Sequence, residues 1–263
     1  MKMGKYLLTA LMVLGIAGMV YASPVGLTSE ADAVKGEWSY NDVTLSAGFV
    51  ADFISGRNID IEGGEFEMNA FMARLGMGVA DRFNFYLDLG QASDMDYSFI
   101  LQGQKYKVTY DDDFIWSIGA NALVYRWDNG LEVGVHASYR EVETTIDKLT
   151  IDSQTLTRKD LTSISDNSLE EAQAAVELAW RNEFFIPYIG IKYSSVDVGS
   201  KFTVGADAKD AAGKDADQTL GLFVGLTILP KLAETQASER FALNLEGRFI
   251  DEEAVSASIT YKF

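Results

Sequence analysis

The stretch Val43-Thr44-Leu45-Ser46-Ala47-Gly48-Phe49-Val50-Ala51-Asp52-Phe53 carries an apolar side chain at every odd position, and small or polar residues at most even ones. Side chains of a β-strand point alternately to opposite faces, so this pattern describes a strand with one apolar and one polar face. The pattern recurs along the chain. Phe71, Ala73, Leu75, Met77 and Val79 oppose Arg74, Gly76 and Gly78; Leu131, Val133, Val135, Ala137 and Tyr139 oppose Glu132, His136 and Arg140. Similar runs start at Phe83, Phe114, Glu171, Ile189, Leu220, Phe241 and Val255. Glu171 to Trp180 is rich in Ala and Glu, as helices are, but its apolar residues fall mainly at steps of two.

Each run is on the order of ten residues, longer than the ~5–6 of an ordinary soluble strand and matched to the ~9–11 that cross a bilayer. Backbone polar groups in hydrocarbon must pair within the protein, so strands cross only as a closed barrel. Alternation alone also fits a soluble sandwich with its apolar face inside. Three further features favour the membrane. Tight turns at 80–82, 127–130 and 181–183 alternate with long polar connections at 54–65, 92–112, 143–168 and 197–218, as in a barrel with short turns on one rim and loops on the other. The longer connection at 230–239 and the short Asp251-Glu252-Glu253 turn depart from that rule. Aromatic residues sit near strand ends: Phe53, Phe66, Phe114, Tyr139, Tyr193 and Phe249 at the loop rim, Phe83, Tyr125, Trp127, Trp180, Phe185, Phe241 and Tyr261 at the turn rim. Rings prefer the headgroup level. Third, the polar face mixes glycines with charges of both signs, which suits the concave side of a narrow barrel. The expected fold is therefore all-β: an antiparallel transmembrane β-barrel of ten strands. Eight would follow if two segments pair above the bilayer, and twelve if the 97–110 hairpin enters the wall.

Ahead of the barrel, Lys2 and Lys5 precede an apolar run, Tyr6 to Val20, and then Tyr21-Ala22-Ser23. This describes a secretory signal peptide over 1–22. The run is too short to span a bilayer as a helix. Residues 23–42 lack alternation and read as a periplasmic leader or a plug in the lumen; the barrel occupies 43–263. The formal net charge of -17 argues against a nucleic-acid partner. Cys 0 excludes disulfides and thiol chemistry, and His 1 leaves little for a metal site. No cofactor or metal is expected.

The ending Val255, Ala257, Ile259, Tyr261 and Phe263, all on one face, resembles the terminal strand of bacterial outer-membrane β-barrel proteins, small OmpA-like or porin-like barrels. That resemblance implies a cell outer-membrane location, contact with membrane lipid and lipopolysaccharide, and Tyr261 and Phe263 as the signal read by the outer-membrane assembly machinery.

The inward face is expected to hold a polar network of Arg74, Asp88, Glu132, His136, Arg140, Glu177, Lys192, Glu246 and Arg248, with opposite charges meeting across a narrow lumen. Ten strands lie between the eight that side chains fill and the sixteen that leave a channel. A small structural or surface-exposed barrel with at most a narrow pore follows. The alternatives are a passive porin-type channel for small solutes or ions, an outer-membrane hydrolase, or an adhesin acting through its loops. Ten-stranded surface proteases similar to omptins share the strand number, yet their Asp–His chemistry has no Asp-X-His counterpart here. His136 and Ser138 share a face as a barrel acyl-hydrolase would need, but read as part of a polar network, so no catalytic residue is assigned. Asp94, Asp96 and Asp111-Asp112-Asp113 read as a solvated acidic rim, with Ca²⁺ or Mg²⁺ as the hard cations such oxygens would take.

Overall fold

In a computed structural model, the described residues are 24–29, 42–161, 163–204, 207–210, 213–214, 220–230 and 240–263. The proposed signal segment 1–22, residue 23 and residues 30–41 lie outside them.

Ten antiparallel strands form the wall among the described residues: β1 (Val43–Ile59), β2 (Gly64–Val79), β3 (Phe83–Leu101), β5 (Asp113–Arg126), β6 (Leu131–Thr144), β9 (Ser163–Trp180), β10 (Phe185–Val204), β13 (Leu220–Ile228), β14 (Phe241–Phe249) and β15 (Glu252–Lys262). Each pairs with its sequence neighbour in the wall, and β15 returns to β1 with Phe49 opposite Ile259 and Ala51 opposite Ala257. That last pairing closes the cylinder, so that among the described residues each wall strand is paired on both sides, as the bilayer requires. Following one row of paired residues from Val43 through nine strands leads to Phe249, at the far end of β14. The row climbs from the turn rim to the loop rim, the stagger of a strongly tilted barrel.

The wall is inverted relative to a soluble protein. Leu75, Ile118, Ile189, Ile191 and Leu220 are among the most exposed large apolar side chains, while Arg140, Lys192 and Arg248 are among the largest fully buried ones. An exposed continuous apolar band around a closed barrel is a surface built for lipid. Trp127, Trp180, Phe83, Tyr125 and Phe263 stand exposed at the turn rim and Phe114 and Tyr193 at the loop rim, with Tyr125 and Trp127 in edge contact at 4.8 Å.

Beyond the loop rim the wall continues as a second layer of pairing. β3 leaves β5 after Ala92 and runs on to pair with β4 (Gln104–Tyr110), which pairs with β7 (Ile146–Ile151) and then β8 (Gln154–Thr157). The 97–110 hairpin thus stays out of the wall. The connection 143–168, expected to be a long polar loop, contains the β7–β8 hairpin and a short 3-10 turn at Arg158–Asp160. Short β11 (Asp207–Asp210) and β12 (Gly213–Lys214) pair with β10.

Three local readings need correction. The connection expected at 54–65 is mostly strand, because β1 runs to Ile59 and β2 starts at Gly64. A bulge at Ile54–Gly56 shifts the alternation by one residue, so Arg57 and Ile59 face inward where the earlier period would send them out. Phe66 keeps the unbroken period of β2, in phase with Met68, Met72 and Arg74, and so faces inward: it is 2% exposed and takes no part in the aromatic girdle. Finally, the β14–β15 turn is only Ile250–Asp251, and Asp251 and Glu252 are buried.

Candidate functional site in the barrel lumen

Three layers fill the lumen. The middle layer is ionic. Arg140 donates to Asp52 at 2.9 Å and to Glu171 at 2.7 Å through its two terminal nitrogens. The other oxygen of Glu171 accepts from Arg57 Nη1 at 2.7 Å, and the same nitrogen reaches Glu252 Oε2 at 3.0 Å. Arg57 Nη2 donates to Ser194, whose hydroxyl donates to Asp251 at 2.8 Å. Lys192 pairs with Asp251 at 2.7 Å and with Glu252. Arg248 pairs with Asp52 and lies 3.7 Å from Glu246. The chain of contacts is continuous from β14 through β1, β6 and β9 to β10 and β15, so it spans the cross-section. Every member lies 3% exposed or less. Charges so buried are tolerable because each faces an opposite charge, and removing one strands its partner.

Beside this layer, Arg74 clamps Asp88 through two parallel bonds of 2.7 Å and lies over the ring of Tyr86 at 3.9 Å. Tyr86 stacks on His136. His136 Nδ1 is 2.7 Å from Asn121 Oδ1 and Nε2 is 3.0 Å from Ser138 Oγ. A carbonyl oxygen only accepts, so Nδ1 carries the proton and Nε2 accepts from the serine. This has the order of nucleophile, base and orienter, yet His136 and Asn121 are sealed at 3% and 2% exposure.

The lower layer is a plug. Pro24–Ser29 is buried throughout. Val25 and Gly26 donate their backbone N–H groups to Glu246 at 3.0 and 2.9 Å, and Thr28 donates through N–H and hydroxyl to Glu177 at 3.2 and 2.8 Å. Val25 and Leu27 pack on Ala175, Ala179, Ile186, Tyr188 and Phe223. Those rings lie over glycines: a Cβ on Gly190 would fall 2.2 Å from Phe223 Cζ. Glu132 pairs with Arg126 at 2.6 Å and with Arg181, whose Nη2 also reaches Ser29 Oγ at 3.2 Å.

The upper layer, at the mouth, is apolar. Ile54, Ile59, Phe66, Met68 and Met72 of the wall pack against Tyr97, Phe99, Tyr106, Val108 and Leu149 of the external ribbon, all 6% exposed or less.

Each sequence-predicted lumen residue is thus buried inside, but in separate groups. Arg140, Lys192, Arg248 and Glu246 join the ionic layer, Arg74 pairs with Asp88, His136 sits with Asn121 and Ser138, and Glu177 and Glu132 hold the plug and its exit. The reading missed Asp52, Arg57, Glu171, Ser194, Asp251 and Glu252 as network members. Glu171 and Asp52 carried the right parity; Arg57, Asp251 and Glu252 were hidden by the bulge and the turn.

On the loop rim, Asp96 accepts from Lys107 at 2.9 Å and Thr109 at 2.6 Å, and Asp94 accepts from Asn69 at 2.8 Å. Asp111 lies 3.6 Å from Arg158. Hydrogen bonding to Asp96 holds the Lys107 ammonium above its ordinary range. Asp113, Glu141, Glu143 and Glu170 line an open depression beside them. Among the described residues no three acidic or histidine side chains are arranged to hold a metal ion.

No family model matches the chain, and no curated protein matches it. Solved structures similar in fold include the outer membrane protease OmpT from Escherichia coli, at 10% identity and TM-score 0.43, covering 84% of this chain and 95% of that one. The translocator domain of the autotransporter NalP from Neisseria meningitidis is similar at 11% identity and TM-score 0.41, covering 86% and 90%. The outer membrane protein OprG from Pseudomonas aeruginosa is similar at 11% identity and TM-score 0.36, covering 87% and 99%. A closed antiparallel cylinder, apolar outside and ionic within, makes this chain an outer-membrane β-barrel.

Proposed function

We propose that the protein is a sealed, non-enzymatic outer-membrane barrel whose role is structural, and which holds a rigid β-ribbon on the outer surface. The observation that supports this reading is the filling of the lumen at three levels: the apolar mouth, the cross-lumen ionic layer and the Pro24–Ser29 plug. An ion crossing such a barrel would have to break paired, desolvated charges, each interaction costing several kcal/mol to lose. The mature chain, folded in detergent and inserted into a planar bilayer, is expected to give no steady conductance steps. Reproducible steps in the unmodified chain would favour the channel reading instead.

The Ser138–His136–Asn121 arrangement is a polar cluster in this reading, since His136 and Asn121 are buried between the apolar mouth and the plug. The outward apolar band contacts lipid acyl chains. Lipopolysaccharide is the lipid at the loop rim, and the exposed Phe263 with Tyr261 is the segment offered to the outer-membrane assembly machinery.

A further inference from the structure

Ile250, in the turn between β14 and β15, has a backbone φ of 87°. In that left-handed region Cβ crowds the backbone, and a β-branched side chain suffers most. Among the described residues Ile250 is the one β-branched side chain at positive φ. Such strain persists only where the surroundings impose it.

What imposes it is the side chain that follows. On β14 residues 246 and 248 face inward, and on β15 residues 252, 254 and 256 do. Both periods place residue 250 inside and residue 251 outside. The turn does the reverse: Ile250 is 56% exposed and Asp251 is fully buried. The left-handed residue carries Asp251 over Gly221 of β13 and into the ionic layer. There its Oδ2 accepts from Lys192 at 2.7 Å and from Ser194 at 2.8 Å, both on β10. Its Oδ1 is buried with no hydrogen-bond partner among the described residues, so half of the carboxylate loses its hydration without compensation. The neighbouring charges are Glu252 of β15 and Arg57 of β1, with Glu171 of β9 and Arg248 of β14 beyond them. Lys192 also pairs with Glu252 and keeps that partner if Asp251 leaves. An Ile250 turned inward would meet Ala254 and Ile54, paired residues of the apolar mouth.

We propose that the β14–β15 turn is a two-state, acid-sensitive switch. Ionised Asp251 holds the strained form, and its protonation releases the turn to a relaxed form with Ile250 inside and Asp251 outside. Two effects oppose each other. The ion pair favours the first form, whereas backbone relaxation and burial of Ile250 favour the second. The charged carboxylate belongs to the strained form, so that form dominates at neutral pH and declines as acid titrates Asp251. The inference goes beyond the structural role and holds whether or not the barrel conducts.

The barrel is folded in detergent with isotope-labelled isoleucine methyl groups and backbone, and I250V identifies the Ile250 methyl signal. At neutral pH that methyl is expected to touch detergent or to be relaxed by a neutral gadolinium chelate. Between about pH 7 and pH 3, where carboxylates titrate, this exposure should fall at least tenfold. D251N should shelter the methyl already at neutral pH and abolish the response to acid. I250G removes the strain, so the acid transition of the Asp251 amide should move about one pH unit lower, the scale of one left-handed residue. A methyl that stays exposed in acid overturns the proposal, and so does a barrel that unfolds before the methyl is sheltered, scored by the folded band on an unheated gel. A D251N barrel whose methyl is exposed at neutral pH, or still responds to acid, overturns the part of Asp251. Should D251N not fold, I250G decides, and an unmoved transition overturns the switch. Conductance steps at neutral pH would refute the sealed barrel and leave each of these outcomes as it stands.

Discussion

Arg57 of β1 and Glu252 of β15 face each other across the seam that closes the barrel, paired in register and with Nη1 3.0 Å from Oε2. The same nitrogen holds Glu171 of β9 at 2.7 Å. One guanidinium thus ties the first and last strands to the far side of the lumen. Its placement depends on the bulge at Ile54–Gly56, without which residue 57 would point into lipid.

R57A is expected to be among the most destabilising single changes in the barrel. It leaves Glu171 and Glu252 buried with one cationic partner fewer each, a loss of about 3–5 kcal/mol for a broken buried pair. Urea unfolding in detergent measures it. R57M, which restores volume without charge, should recover little, because the stranded carboxylates remain. A loss under about 1 kcal/mol for R57A would mean that the ionic layer does not hold the seam.

The same residues mark how far the sequence could be read. Strand number, direction of the faces and the inward position of Arg140, Lys192 or Glu177 all follow from an uninterrupted period of two, because membrane strands are long enough for the period to repeat. Arg57 stayed hidden because a single extra residue inverts parity, and nothing in Ser55-Gly56 announces that it will; Glu252 and Phe66 keep the period of their strands but stood in stretches that read as a turn and as a rim. The sequence left the plug as one of two readings of 23–42 for a different reason. Pro24–Ser29 has no periodicity, and its partners Glu177 and Glu246 lie some 150 and 220 residues away in the chain. The ribbon beyond the rim was half legible: the 97–110 hairpin could be seen in its turn, whereas β7 and β8 sit in a polar stretch whose strands are fixed by pairing of β7 with β4 and of β8 with β7.

The lipid face makes an opposite prediction from the lumen. Leu75 is 57% exposed and flanked in register by Ala47 and Leu87. In a soluble protein L75R would be nearly neutral. Here it puts a guanidinium into hydrocarbon and should cost about 2–4 kcal/mol near the bilayer midplane, read as a shift in unfolding from lipid vesicles. A neutral result there, with the protein still folded in vesicles, would mean that this face does not meet acyl chains.

Ser138 offers a chemical test of access. A serine paired with a histidine, itself oriented by Asn121, is the arrangement that fluorophosphonates label when the hydroxyl can be reached. In the folded barrel no labelling is expected in detergent, because the mouth is closed by Phe66, Tyr97 and Phe99 and the other end by the plug. Covalent labelling at Ser138, abolished by H136A, would instead assign a hydrolase centre to the lumen and overturn the structural reading.

Outside the membrane, the turn after β8 should respond to acid. Asp160 Oδ2 accepts from the Thr157 backbone N–H at 2.9 Å and from its hydroxyl at 2.8 Å. Those bonds favour the charged form and hold the carboxyl below its ordinary value of 3.8, with Lys159 assisting. A group with a lowered folded pKa stabilises its structure above the unfolded value, and the effect fades as pH falls through the folded one. The turn is therefore expected to be firm at neutral pH and to loosen in strong acid. Hydrogen exchange at the Thr157 amide, corrected for the intrinsic rate, should accelerate as pH is lowered below about 4. D160N should remove that dependence and leave the amide less protected at neutral pH, because an amide oxygen is a weaker acceptor than a carboxylate. Protection unchanged by both acid and D160N would mean that the capping bonds to Thr157 do not hold this turn.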